Sequence, residues 1–347
     1  MASISRASSP LGFLQRIPVN AILAPILALL AVWIVWNFVD APTQFGNIVI
    51  IGLTNGALYA LVALGYTLVY GIIELINFAH GDLFMLGSVF AGFMINKWFG
   101  VTHFTGGALA IFFLTLFCTM LFCGALNVVI ERFAYRPLRN APKLAPLITA
   151  VGISFVLQNV GIIWNGSTPQ SHLPALPSGN ISLGGGVGVR WPALATIMLT
   201  IPLLIALTYI VKKTRTGKAM RATAQDADAA RLMGIDVNRV IAFTFLLGGA
   251  MAGAAGVMTV QVNGQTRYDA GFQLGLIAFT AAVLGGVGNL TGAVLGGVLI
   301  GLIQGINDGA PHGLGQEWSQ TVVFSILIGL LVFRPWGLLG KPTTEKV

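Results

Sequence analysis

Charge is what this sequence has least of. Asp, Glu, Lys and Arg make up only 9% of its 347 residues, against roughly 25% in soluble globular domains, which excludes an ordinary water-soluble fold. Two cysteines, Cys118 and Cys123, fall within one apolar run; they read as small packing residues and say little about compartment. The four histidines are scattered, with His103, His172 and His312 in loops far from His80, so no set of metal ligands converges. No G-x-S-x-G nucleophile elbow is present, which disfavours a serine hydrolase. A Walker A pattern is also missing: Thr216-Gly217-Lys218-Ala219 lacks both the spacing and the hydroxyl. If ATP drives this protein, another chain binds it. Alternating segments of about ten residues, the mark of a transmembrane barrel, do not occur.

What remains is apolar. Hydrophobic residues account for 56% of the chain, mean hydropathy is +0.84, and there are 44 glycines. Repeated apolar runs near 20 residues match a hydrocarbon core of about 30 Å. These features predict an all-α polytopic membrane protein with about ten spans: 19–39, 46–73, 75–96, 106–130, 145–165, 191–211, 240–262, 273–287, 290–307 and 318–333. Eight spans fit as well if 273–307 is re-entrant or one tilted segment. The domain plan is a tail over 1–18, one membrane domain over 19–334 and a tail over 335–347. Arg6 and Arg16 before Val19–Val39 resemble a signal peptide, but the run exceeds the usual apolar region of about 7–15 residues, so an uncleaved first span is preferred.

The net charge of +8 is an orientation signal rather than a nucleic-acid footprint. With both termini cytoplasmic, sixteen of the nineteen Lys and Arg residues lie in cytoplasmic segments, leaving Lys97, Arg190 and Arg267 outside. That asymmetry follows the positive-inside rule and requires an even span count.

The longest segment that cannot lie in hydrocarbon is Lys212–Arg239, with seven basic residues. It predicts a short amphipathic helical hairpin. Thr216 is placed to cap its first helix, Asp226 to cap a second starting at Ala227, and Gly234 to end it in the left-handed region. Alanines such as Ala222, Ala229 and Ala230 make a slim helix, and Leu232, Met233 and Ile235 supply an apolar anchor. Docking into a soluble partner is the favoured reading, ahead of a lipid-surface helix or a plain loop.

A second feature is ELINFAHGDLFMLG, which places Glu74, Asn77, His80 and Asp82 in apolar surroundings. Ionisable groups at membrane depth are costly and usually functional. With Glu74 at the cytoplasmic turn, the other three are expected one or two turns deeper. A gating network near the inner mouth is favoured, then a substrate-path contact, then a catalytic or metal site. Small residues at four-residue spacing, Gly288, Gly292, Gly296 and again Gly297, Gly301, Gly305, predict close helix crossings, within this chain or between subunits.

Five stretches in the same order then carry a resemblance: GYTLVYGIIELINFAHGD (65–82), ERFAYRPLR (131–139), ITAVGISFVLQN (148–159), RATAQDADAARLMGIDVNRVIAFTF (221–245) and FTAAVLGGVGNLTGAVLGG (279–297). The chain resembles the LivH-type permease subunits of branched-chain amino acid ABC importers over roughly 45–340. The resemblance implies an inner-membrane transport subunit with no catalytic residues, metal or cofactor of its own. Its partners would be two ATPases carrying ATP and Mg, a second related permease in a heterodimer, and an extracytoplasmic binding protein. It also implies a coupling helix over about Arg221–Asp236, including Arg221, Ala222, Asp226, Ala229, Ala230, Leu232, Met233, Gly234 and Ile235. Asp82 stands where the family pattern leads one to expect Glu. Permeases for urea or short amides share much of this pattern. An ion-coupled secondary transporter is the rival of another class; it would need buried carboxylates near the midplane, and the expected topology places none there.

Overall fold

The computed structural model describes residues 32–340 apart from 75–76, 101–106, 140, 143, 178 and 335. Most of the first expected span, both tails beyond these limits, His103 and Lys143 lie outside the described residues.

Nine long helices and a short hairpin build the bundle: α1 (Pro42–Ile73), α2 (His80–Phe93), α3 (Ala108–Ile130), α4 (Leu144–Asn165), α5 (Trp191–Lys213), α6 (Arg215–Gln225), α7 (Ala227–Leu232), α8 (Val237–Asn263), α9 (Ala270–Gly285), α10 (Leu290–Gly309) and α11 (Ser319–Phe333). Residues 32–40 are helical too. Helix α2 runs on into a π turn, Met94–Trp98, and α3 into another, Glu131–Tyr135. Strands are confined to one end: β1 (Gln170–Ser171) pairs antiparallel with β4 (Gln265–Thr266), and β2 (Asn180–Gly184) with β3 (Val187–Arg190).

Among the described residues six helices are long and apolar enough to cross a membrane: α1, α3 with its extension to Leu138, α4, α5, α8 and α10. The fold is thus that of a polytopic helical membrane protein. The 273–307 region is not one tilted segment. It breaks at Gly286, Val287 and Gly288 into α9 and α10, with Leu338 and Leu339 donating to the carbonyls of Leu284 and Gly285. The expected 75–96 span begins only at His80.

Helices α1 and α8 form the centre, each 72% buried over its most apolar window, whereas α5 is 17% buried and α4 22%. Small residues bring the centre together. A Cβ on Gly301 would lie 2.2 Å from the Gly56 nitrogen and 2.5 Å from the Gly52 carbonyl oxygen; one on Gly297 would lie 2.6 Å from the Ala60 nitrogen. One face of α10 therefore seats Gly297, Gly301 and Gly305 on the α1 backbone. Its other face seats Gly292 and Gly296 on α9, where their missing Cβ atoms would fall 2.3 Å from the Gly285 oxygen and 2.0 Å from the Ala281 oxygen. These glycines pack within the chain. Gly288 is different: it sits in the turn at φ +86°, before α10 starts. Gly249 and Gly253 in turn carry α8 against Cys123 and Thr119 of α3.

Candidate functional site

The structure splits the four polar residues expected to act together. Helix α1 stops at Ile73, and Glu74 turns into the left-handed region at φ 51°, alone among the described non-glycine residues. Its side chain is exposed at the bundle end that carries the hairpin. The chain then rises back into the bundle, with 77–79 as a turn rather than helix, so Glu74 and Asn77 do not share a helix face. The Asn77 Oδ1 accepts from the Tyr135 hydroxyl at 2.7 Å. His80 presses its ring against Gly65 and stacks edge-on to Tyr66, with ring centroids 4.7 Å apart. Gly65 is eight residues before the end of α1, about 12 Å up the helix. Among the described residues neither His80 ring nitrogen has a well-formed hydrogen bond, although the Val62 backbone runs alongside.

Asp82 lies deeper. It is fully buried, accepts from the Ser154 hydroxyl and from Gln158 Nε2 at 3.3 Å, and Ser154 is the eleventh residue of the 22 in α4. The carboxyl therefore sits at half the height of that helix. His80 thus lies about two turns in, as expected, whereas Asp82 is deeper and corrects the expectation that no buried carboxyl stands midway along the spans. The reason is the broken chain after Glu74, which lifts the start of α2 into the bundle. Asp82 is in the first turn of α2, and Gly271 in the first turn of α9 abuts it, since a Cβ there would be 2.8 Å from Asp82 Oδ1. Two helix N-termini thus meet at one carboxyl, where their partial positive charge offsets part of the cost of burial. Among the described residues no three His, Cys, Asp or Glu side chains converge as metal ligands.

The hairpin forms as two helices. Thr214, rather than Thr216, caps α6, its hydroxyl accepting from the Gly217 N–H at 3.0 Å. Asp226 caps α7, accepting from the N–H groups of Asp228 and Ala229 at 2.9 Å each. Gly234 ends it at φ +81° with open space around it. Of the nine residues placed in the coupling segment, Arg221, Asp226, Ala229, Leu232, Met233 and Gly234 are exposed; Ala230 is buried, and Ala222 and Ile235 are half-buried against the bundle. The apolar tip is therefore Leu232 and Met233, 89% and 83% exposed, without Ile235. Arg221 turns back, its guanidinium donating to the Val211 carbonyl at the end of α5. Met220 and Thr223 point inward with Gly217 and anchor α6 to the bundle.

Sequence reasoning missed the surroundings. Arg139 ties the 131–139 connector to the helices by pairing with buried Glu131 and donating to Asn238 Oδ1 at 2.7 Å. Burial draws its guanidinium below the ordinary value, Glu131 counteracts this, and Arg136 and Arg231 press it down further. A cavity of about 680 Å³ opens beside this pair, walled by Glu74, Tyr135, Leu147, Thr223, Asp228, Arg231 and Phe245 among others. At the opposite end His172 fastens the long loop: Asn96 Nδ2 is 2.7 Å from its Nδ1 and Thr266 Oγ1 2.9 Å from its Nε2. With Asn96 donating, the ring is neutral and its proton is on Nε2; burial lowers its pKa. The i, i+4 pair Ser154 and Gln158 on an apolar helix was the available signal for the partners of Asp82. Nothing in the order of residues signalled His172.

Comparison with known proteins places this bundle. The family described as branched-chain amino acid transport system / permease component matches residues 48–331. The chain is 39% identical over 302 residues to the high-affinity branched-chain amino acid transport system permease protein BraD of Pseudomonas aeruginosa, covering 85% of this chain and 96% of that one. It is 40% identical over 312 residues, with the same coverage, to the permease protein LivH of the corresponding system in Salmonella typhimurium and in Escherichia coli. No solved structure matches the chain. The helical bundle, its hairpin and these matches over nearly the whole length of the relatives together make the chain a LivH-type member of the branched-chain amino acid transport permease family.

Proposed function

We propose that this chain is the membrane-spanning permease subunit of an ATP-driven importer, carrying branched-chain amino acids across the bacterial inner membrane. It works beside a second related permease, receives substrate from an extracytoplasmic binding protein, and is powered by two ATPase subunits that bind ATP and Mg. The hairpin end is cytoplasmic, as are both termini, and the first of ten spans lies within 19–39. The relatives support the substrate class, since BraD and LivH are named for branched-chain amino acids; this favours it over urea or short amides.

The observation that carries the coupling role is the exposed Leu232–Met233 tip on a hairpin tied down at both caps and by Met220. Apolar side chains this exposed, on a rigid mount, suit insertion into a partner's groove. ATP-driven motion of the ATPases would reach α5 and α8 through the hairpin. Asp82, at the joint of α2, α4 and α9, is suited to a gating contact: separating α4 from α2 breaks its bonds to Ser154 and Gln158. The test is co-purification of the ATPase subunits. Leu232→Glu with Met233→Glu, and separately Ala229→Trp, should lose the ATPases while membrane insertion is unchanged. Undiminished recovery in both would overturn the docking role. Uptake driven by an ion gradient without ATPases would overturn the ATP-driven reading.

A further inference from the structure

Glu74 was grouped with Asp82 by sequence, yet the structure gives it a different site. It lines the cavity of about 680 Å³ at the hairpin end, a size typical of small-molecule sites, which run from about 300 to 1,000 Å³. Two observations point to a ligand. Glu74 holds a left-handed backbone at φ 51°, a strain that costs about 1–3 kcal/mol and clusters at functional sites, and its carboxylate has no ion-pair or hydrogen-bond partner among the described residues. Arg231 adds a guanidinium whose one bonded partner among the described residues is exposed Asp228, at 2.7 Å. Ile73, Leu147 and Phe245 line the same cavity.

An acid, a guanidinium and an apolar wall suit a free α-amino acid with an apolar side chain. We propose that this cavity binds such an amino acid from the cytoplasmic side, its ammonium at Glu74, its carboxylate at Arg231, and its side chain on Ile73, Leu147 and Phe245. The substrate class rests on the function proposed above. Glu74 belongs to the joint between α1 and α2, whereas Arg231 belongs to the hairpin. A bound amino acid therefore bridges the two and holds the hairpin to the bundle, so that accumulated product restrains the element that meets the ATPases.

The experiment uses the assembled transporter in nanodiscs without binding protein or ATP, and equilibrium dialysis of radiolabelled leucine, 4-methylpentanoate (no ammonium) and isoamylamine (no carboxylate). Leucine should bind saturably and more tightly than either analogue. Glu74→Gln should weaken leucine by about tenfold or more, as expected for a lost charge-assisted bond, and leave 4-methylpentanoate unchanged. Arg231→Gln should weaken leucine and leave isoamylamine unchanged. A merely structural effect would lower all three ligands together in both variants, and that result overturns the proposal. So does the absence of saturable leucine binding to the wild type. Neither result touches the docking role, which is read from ATPase co-purification.

Discussion

Replacing Gly301 by Ala should force α10 and α1 apart. The new methyl carbon would lie 2.2 Å from the Gly56 nitrogen, 2.3 Å from the Gly56 Cα and 2.5 Å from the Gly52 carbonyl oxygen. All three are backbone atoms, so no side chain can swing aside. Restoring ordinary contact requires α10 and α1 to separate by roughly 1 Å, and a gap of that size forfeits about a quarter to a half of each dispersion contact along the seam. Overpacking of this kind costs about 1–3 kcal/mol, and the backbone location puts Gly301 at the upper end. Alanine returns about 1 kcal/mol through helix propensity. The expected net loss is about 2 kcal/mol. Gly329 in α11 is the control, because a Cβ there meets nothing within 4 Å; Gly329→Ala should gain up to about 1 kcal/mol. Unfolding in mixed micelles, followed by helical circular dichroism against the mole fraction of SDS, measures both. Equal shifts in the two variants, or no loss in Gly301→Ala, would refute the account of the α1–α10 seam.

Other consequences are equally direct. Asp82→Ala leaves Ser154 and Gln158 without their buried acceptor and should cost about 1–3 kcal/mol in the same unfolding assay, while Asp82→Asn, which can still accept, should recover much of it; a neutral Asp82→Ala would show that the contact is idle. Asp226→Ala removes the cap of α7 and should cost about 1 kcal/mol, seen as faster hydrogen exchange at 228–233 with α8 unaffected. Gly234→Val meets no steric obstacle but must hold φ +81°, a conformation about 1–2 kcal/mol unfavourable for other residues, so ATPase co-purification should weaken. His172 has a pKa held below its ordinary value by burial. The unfolded or released loop therefore binds the proton more readily, and the clasp is at full strength above about pH 6.5 and weakens as pH falls below that. Exchange at 170–172 and 264–266, corrected for intrinsic rates, should speed up between pH 7.5 and 5.5 and lose that dependence in His172→Gln.

The amino-acid order by itself determined the membrane class, the helical content, the position of the hairpin and the family. These depend on local quantities: run length against bilayer thickness, charge excluded from hydrocarbon, capping residues such as Asp226, and a left-handed Gly234. Glycine spacing likewise announced close crossings along α10. It did not say what they cross, and only the fold showed Gly301 on Gly56 and Gly296 on Ala281. Depth was the main failure. A turn at Glu74 and a span from 75 put His80 about as deep as it lies, but did not bring Asp82 to half the height of α4, where α9 also starts. That placement is set by what α4 and α9 offer Asp82, and partners 72 or more residues away leave no periodic trace. The same holds for Glu74 and Arg231, which line one cavity: each is an ordinary residue in its own segment, and only packing brings them to the same site.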